Sequence, residues 1–342
     1  MKKPTMLSFK VSTLKYKMNW FQETFGWSRK QLLKVLSRTP DLLNLSIHDN
    51  IEPTVDSVQQ AFNLTNLEVS KVLMTNPQLM TLQRDTLTQK AEWLQRRLDL
   101  KSTEELSKIV RRAPNIMNFS IDNIESKIKW LEDILGLAGD ATTIAAPLKK
   151  APSILHLKLD TMASKVNWLQ SSLNITDSEV AKIVWKDPAI LAKNIEENLE
   201  PTLHWLVNRL GCETAKQVIS RLPSTLSLSI PDSIEPKMEY LQTKFQLDEE
   251  NLLKMIKTMP TLLGMSFNNI NNTLQFYSDC YGEDQALQFV IGNPGLLTLS
   301  LKNRLIPRWE QAVELEFEKE VPISVLAMHT PKKWENYVES KR

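Results

Sequence analysis

Nine prolines, at positions 40, 77, 114, 152, 188, 223, 260, 294 and 331, recur at steps of 34 to 38 residues. Spacing this even marks an array of small supersecondary units, each unable to bury its apolar face alone and so stacked on its neighbours. A chain of 342 residues would ordinarily divide into two domains. An array escapes that limit, because each unit packs only on the next. The expected organisation is a basic segment over 1–13, a single array over 14–335 and a tail over 336–342.

The residues around each proline define the unit. Apolar positions fall eight, five and four residues upstream, as in Leu32/Val35/Leu36, Val69/Val72/Leu73, Leu106/Ile109/Val110, Val180/Ile183/Val184 and Leu252/Met255/Ile256. These lie on one face of a helix, here termed helix B. Ser102 with Glu105 and Thr176 with Glu179 have capping-box spacing at its start. Its end is set by the proline, which pushes the preceding residue out of the helical region.

After the proline, segments such as PDLLNLSI, PNIMNFSI and PGLLTLSL predict a short turn helix with buried aliphatic residues. Polar pairs then follow (Asp49/Asn50, Asp122/Asn123, Asp160/Thr161, Asp232/Ser233, Asn268/Asn269) and suggest N-caps for a second helix, helix A. Helix A is expected to begin at Leu14, Ile51, Leu87, Ile124, Met162, Leu199, Ile234, Ile270 and Leu305. Six residues into it stands an aromatic column of Trp20, Trp93, Trp130, Trp168, Trp205, Tyr240 and Phe276. Packing between stacked units is the simplest use of a large ring at fixed spacing; base stacking is the other. Pro147 and the longer GLAGDATT stretch break the pattern and predict a shortened helix B in the fourth unit. Glu310, Glu314, Glu316, Glu318 and Glu320 make the last unit acidic, and Trp334 and Tyr337 follow its proline as a closing cap.

Several function classes find no support. With only 8 Gly there is no Gly-rich phosphate loop, and no GxSxG, GxxxxGK[ST], GxGxxG or HExxH motif occurs. His48, His156, His204 and His329 occupy different repeat positions, and Cys212 and Cys280 lie far apart without metal-ligand or disulfide spacing. The expectation is a non-enzyme with no cofactor, no metal and no small-molecule substrate. No apolar run is long enough to span a membrane. The first 22 residues are rich in Lys but lack Arg and an apolar core, which makes a poor targeting peptide.

The proline followed by two aliphatics (PDLLNLS, PNIMNFS, PTLLGMS), the aromatic–Leu step in helix A (KWLEDILGL, NWLQSSLNI, HWLVNRLGC) and the aliphatic pair before the proline together resemble the mitochondrial transcription termination factor (mTERF) family. The resemblance runs from about residue 14 to 335. It implies an all-α fold, a right- or left-handed superhelical solenoid of about nine repeats, each of two helices plus a short turn helix. It also implies an organellar protein, mitochondrial or chloroplast, that binds nucleic acid in transcription, its termination or RNA maturation. A monomer on double-stranded DNA is the leading expectation. An RNA-binding factor or a protein-binding scaffold is the alternative, since solenoid surfaces also bind peptides.

The net charge is +2, so any polyanion site must come from local placement. Two basic columns recur. One lies two or three residues before the proline: Arg38, Arg111/Arg112, Lys149/Lys150, Lys186, Arg221 and Lys257. Cations in a last turn also interact favourably with exposed carbonyls, so both a capping and a binding role fit. The other lies three residues into helix A: Lys17, Lys90, Lys127, Lys165, Lys237 and Arg308. A cation near a helix N-terminus opposes the dipole, so its recurrence fits phosphate contact, with a merely solvated helix face as the other reading. Eight steps at roughly 10 Å each would match about 24 base pairs of duplex at 3.4 Å.

Overall fold

The computed structural model describes residues 10–137 and 140–341. The fold is all-α, and no strand occurs among these residues. Lys2 and Lys3 of the basic N-terminal segment lie outside them. The chain divides into two compact units, residues 1–192 and 193–342, with the division just after a repeat's proline turn.

The first unit holds five repeats. Helix A and helix B alternate as α1 (Val11–Phe25) and α2 (Arg29–Arg38), α3 (Glu52–Phe62) and α4 (Asn66–Thr75), α5 (Arg84–Arg97) and α6 (Thr103–Arg112), α7 (Ile121–Leu135) and α8 (Ala141–Lys150), α9 (Leu159–Leu173) and α10 (Asp177–Lys186). Each helix B is followed by a 3₁₀ turn that starts on the repeat proline, and successive turns pack on one another along the unit. The B helices α4, α6 and α8 likewise contact in sequence. The second unit continues the alternation with α11 (Glu200–Leu210), α12 (Cys212–Arg221), α13 (Glu235–Phe245), α14 (Glu249–Thr258), α15 (Phe267–Tyr281) and α16 (Glu283–Gly292). It closes with α17 (Ile306–Glu314), α18 (Ile323–Met328) and α19 (Pro331–Glu339).

The helix B stripes are buried as their period requires, with Leu32, Val35, Leu73, Val184 and Ile256 at 0 % exposure. Each such side chain contributes roughly 1.5–3 kcal/mol of transfer free energy. Every helix B stops two residues before its proline, at Arg38, Thr75, Arg112, Lys150, Lys186, Arg221, Thr258 and Gly292. Pro331 differs from the other eight, because it opens α19 as its first residue instead of a 3₁₀ turn. Trp334 and Val338 on α19 then bury against Ala312, Phe317, Val321 and Leu326.

Three local expectations are corrected. α8 is not shortened, having the same ten residues as the other B helices despite Pro147. The burial of Ile144, Ala145 and Leu148 on either side of the proline outweighs one missing backbone bond. Helix A starts about a turn earlier than the polar pairs suggested. Its N-cap is the serine six residues past the proline: Ser46, Ser120, Ser229, Ser266 and Ser300, with Asn194 in the same place. Finally, Thr176 and Glu179 form a reciprocal capping box, but Ser102 makes no side-chain cap, because Glu105 accepts from the Lys101 N–H instead.

Four A helices begin with a π-helical turn: Ile47–Ile51, Ile195–Leu199, Ile230–Ile234 and Leu301–Leu305. All four run into a proline at the second α-helical position, Pro53, Pro201, Pro236 and Pro307. A proline there has no N–H to donate and crowds the carbonyl four residues back. The wider turn accommodates both. Where that proline is missing, α7, α9 and α15 run as unbroken 15-residue helices.

Candidate nucleic-acid interface

The helix A cations do not face solvent. Lys17 and Lys90 are 8 % exposed, Arg308 7 %, Lys127 4 % and Lys237 3 %. Lys17 Nζ donates to the carbonyls of Leu43 (2.7 Å) and Leu45 (2.5 Å), Lys90 to Met117 (2.8 Å) and Lys127 to Leu155 (2.7 Å). Those carbonyls end the following 3₁₀ turn, where no helical N–H reaches them. Arg308 plays the same part with Leu326 and His329. Aromatic faces complete the sites: Lys237 sits 3.4 Å from the Phe267 ring centroid and Lys127 4.1 Å from that of Phe119. Burial pushes the four lysines below the ordinary lysine value.

The expected exposed phosphate column is thereby corrected. Lys17, Lys90, Lys127 and Arg308 cap backbone carbonyls, which explains why a cation recurs here against the helix dipole, and Lys237 is buried over an aromatic ring instead. In the sixth repeat Thr202 stands at this position, and its hydroxyl donates to Leu228 O at 3.2 Å. Lys165 is the half-buried member of the column.

The proline-proximal cations are placed differently. Arg38, Arg112, Lys150, Lys186, Arg221 and Lys257 are all exposed at the C-terminal ends of their helices. Arg112 donates to Lys149 O (2.9 Å) and Arg221 to Thr258 O (3.3 Å), while Lys150 Nζ lies 3.5 Å from Trp185 O. Each of these three therefore reaches the last turn of the next repeat's helix B, not only its own. The neighbours in the doublets have another role: Arg111 pairs with Glu68 and Glu104, and Lys149 with Glu105 at 2.7 Å. The Arg111–Glu68 and Lys149–Glu105 pairs tie adjacent repeats together, while Arg111–Glu104 lies within α6.

A third column was missed at the sequence level. Six residues before the proline stand Lys34, Lys71, Lys108, Lys182 and Lys254, all exposed. The signal was their repeat phase, masked because this position carries Ala146, Gln217 and Gln288 in other repeats. Lys34/Arg38, Lys108/Arg112 and Lys182/Lys186 are i,i+4 pairs, with Lys254/Lys257 at i,i+3. Like charges so placed repel by roughly 0.2–0.5 kcal/mol per pair. A polyanion lying along them would relieve that repulsion.

The aromatic column is half-buried throughout. Its rings reach the next repeat: Trp20 Nε1 donates to Glu52 (3.1 Å), Tyr240 packs edge-on against Phe267 and Phe276 against Trp309. Among the described residues no group of three His, Cys, Asp or Glu could hold a metal ion, and no helix is long and apolar enough to cross a membrane.

Comparison with curated proteins gives no match. The family model for mTERF, however, matches residues 1–181 and 141–335, nearly the whole chain and the same stretch as the proline repeats. This chain belongs to the mTERF family of helical-repeat, nucleic-acid-binding factors of organellar transcription and RNA processing.

Proposed function

We propose that the protein is a monomeric double-stranded DNA-binding factor of a mitochondrion or chloroplast, acting in transcription or its termination and holding phosphates with the C-terminal ends of its B helices. The observation that carries this reading is the recurrence of exposed cations at helix B ends, six and two or three residues before the proline, paired in the first, third, fifth and seventh repeats and single in the second, fourth and sixth. In the first unit these are Arg38, Arg112, Lys150 and Lys186 with Lys34, Lys71, Lys108 and Lys182; in the second they are Arg221, Lys254 and Lys257. Lys17, Lys90, Lys127 and Arg308 stay outside this interface, since they are buried and donate to backbone carbonyls; Lys237, buried over the Phe267 ring, stays outside it too.

Interactions of this kind hold the backbone without reading sequence. Replacing Lys34, Lys108 and Lys182 by Gln is therefore expected to weaken binding to all sequences alike. The plot of log affinity against log salt should flatten by roughly 0.9 for each duplex phosphate no longer neutralised. Folding should change by less than about 0.5 kcal/mol, as for exposed sites away from caps. An unchanged slope on both duplex DNA and RNA rejects the interface; flattening on RNA alone moves the reading to RNA maturation.

A further inference from the structure

An open cleft of about 400 Å³ lies among the proline turns of the first three repeats, lined by Arg38, Thr75, Asn76, Gln78, Asn115 and Asn118 among others. That volume falls within the range of small-ligand sites, roughly 300–1,000 Å³. Four of these six side chains are primary amides. Two of them are fixed by each other: Asn76 Nδ2 donates to Pro114 O and to Asn118 Oδ1, both at 3.0 Å, and Asn118 Nδ2 donates back to Asn76 Oδ1 at 3.1 Å. Asn76 is 3 % exposed, so this reciprocal pair forms a rigid base. Gln78 is exposed and Asn115 half-buried. Neither side chain has a hydrogen-bond partner among the described residues.

The cationic row changes at the same place. Arg38 and Arg112 carry charge in the first and third repeats, but the second has the neutral Thr75 there, on the cleft wall. A backbone held by Arg38 on one side and Arg112 on the other would meet amides, not a cation, between them. An amide presents one N–H donor beside one carbonyl acceptor, the complement of adenine N7 and its N6 amino group. We propose that this cleft is a base-reading subsite in which Gln78 and Asn115 recognise the N6/N7 edge of adenine. The inference rests on the nucleic-acid reading above and adds to it a place where sequence is read.

The test is selection from random duplex DNA and random single-stranded RNA libraries, with wild type, Gln78→Ala/Asn115→Ala and Lys34→Gln/Lys108→Gln. Wild type should enrich adenine at a fixed position, and the library in which it does so identifies the source of the base. The amide variant should lose that preference, by roughly 5- to 150-fold for a bidentate pair, with melting temperature and salt slope unchanged. The lysine variant should bind more weakly and keep the adenine. Gln78→Ala alone, at an exposed site, is expected to give a partial loss with no effect on folding. An amide variant with the wild-type base profile, or a wild type with no adenine position, overturns the subsite while leaving the phosphate interface standing. Absence of binding to either library at low salt overturns the interface as well.

Discussion

A lysine ammonium can cap a carbonyl or meet a phosphate, and in this chain its depth decides which. Lys127 is buried with a single backbone acceptor, Leu155 O. Removing the donor leaves that carbonyl in a dry site, which costs about 1–3 kcal/mol. Lys127→Met is therefore expected to lower stability in denaturant titrations without altering the salt slope of binding, the reverse of Lys108→Gln. Lys127→Thr should be milder, because Thr202 already serves its repeat with a hydroxyl. His156 gives a second reading of the same site. Its pKa is held below the ordinary 6.5, first by burial and then by the nearby Lys127 charge. The unfolded chain binds the extra proton more readily, so the stability contribution is complete above about pH 6.5 and declines as pH falls through the lowered native value. Nuclear magnetic resonance titration should place His156 below free histidine, and Lys127→Met should move it only partway back. A midpoint at the free value in the wild type would contradict the half-buried neutral ring.

Each helix carries its boundaries in a few residues, and these differ in strength. The Ser120 hydroxyl accepts from the Asn123 N–H at 3.2 Å, so Ser120→Ala should cost about 1 kcal/mol. Ser102 makes no such bond, and Ser102→Ala should change stability by less than about 0.5 kcal/mol. Equal losses in thermal melts would show that sequence spacing, not the observed bond, identifies caps. This contrast also marks what could be read in advance. The helix B stripes, the proline stops and the all-α class follow from a period that tolerates no other burial. The start of helix A was misplaced by a turn because Asp and Asn pairs are cap formers wherever they stand, and only the packed turn shows that Ser46 and Ser120 come first. The π-turns could have been anticipated from Pro53, Pro201, Pro236 and Pro307. The interface was harder: Lys34 and Lys127 are both periodic cations, and periodicity does not tell burial from exposure. Trp130 is half-buried and not sealed, so Trp130→Ala should cost about 2 kcal/mol, below the 3–5 kcal/mol of a fully enclosed ring.

A net charge of +2 is small for a protein with a polyanion ligand, but the total conceals an arrangement set by helix polarity. B helices begin with acids, as at Glu68, Glu104 and Glu105, Asp177 and Glu179, Glu249 and Glu250, and several end with cations. Both placements are favourable to the helix dipole. Since each repeat sets its helix B in the same direction through the unit, the dipole preference of single helices becomes an acidic edge and a basic edge. Along α14, Glu249 and Lys257 are separated by about 12 Å of helix at 1.5 Å per residue. That exceeds the Debye length of about 8 Å at physiological ionic strength. A phosphate at Lys257 is thus largely screened from Glu249, whereas Glu250 stands only about 6 Å along the axis from its i,i+4 neighbour Lys254. Net charge and binding should then come apart. Glu249→Gln/Glu250→Gln makes the protein more positive by two charges, at the cost of the surface pair between Arg209 and Glu249, worth under about 1 kcal/mol. It should leave the salt slope where it was, because the number of phosphates neutralised is unchanged. Lys254→Gln/Lys257→Gln makes the protein less positive by the same amount and should flatten the slope by up to roughly 1.8, two duplex phosphates at 0.9 each. If the two variants shift the slope by equal and opposite amounts, overall charge governs association and the ordered basic edge has no special part in it.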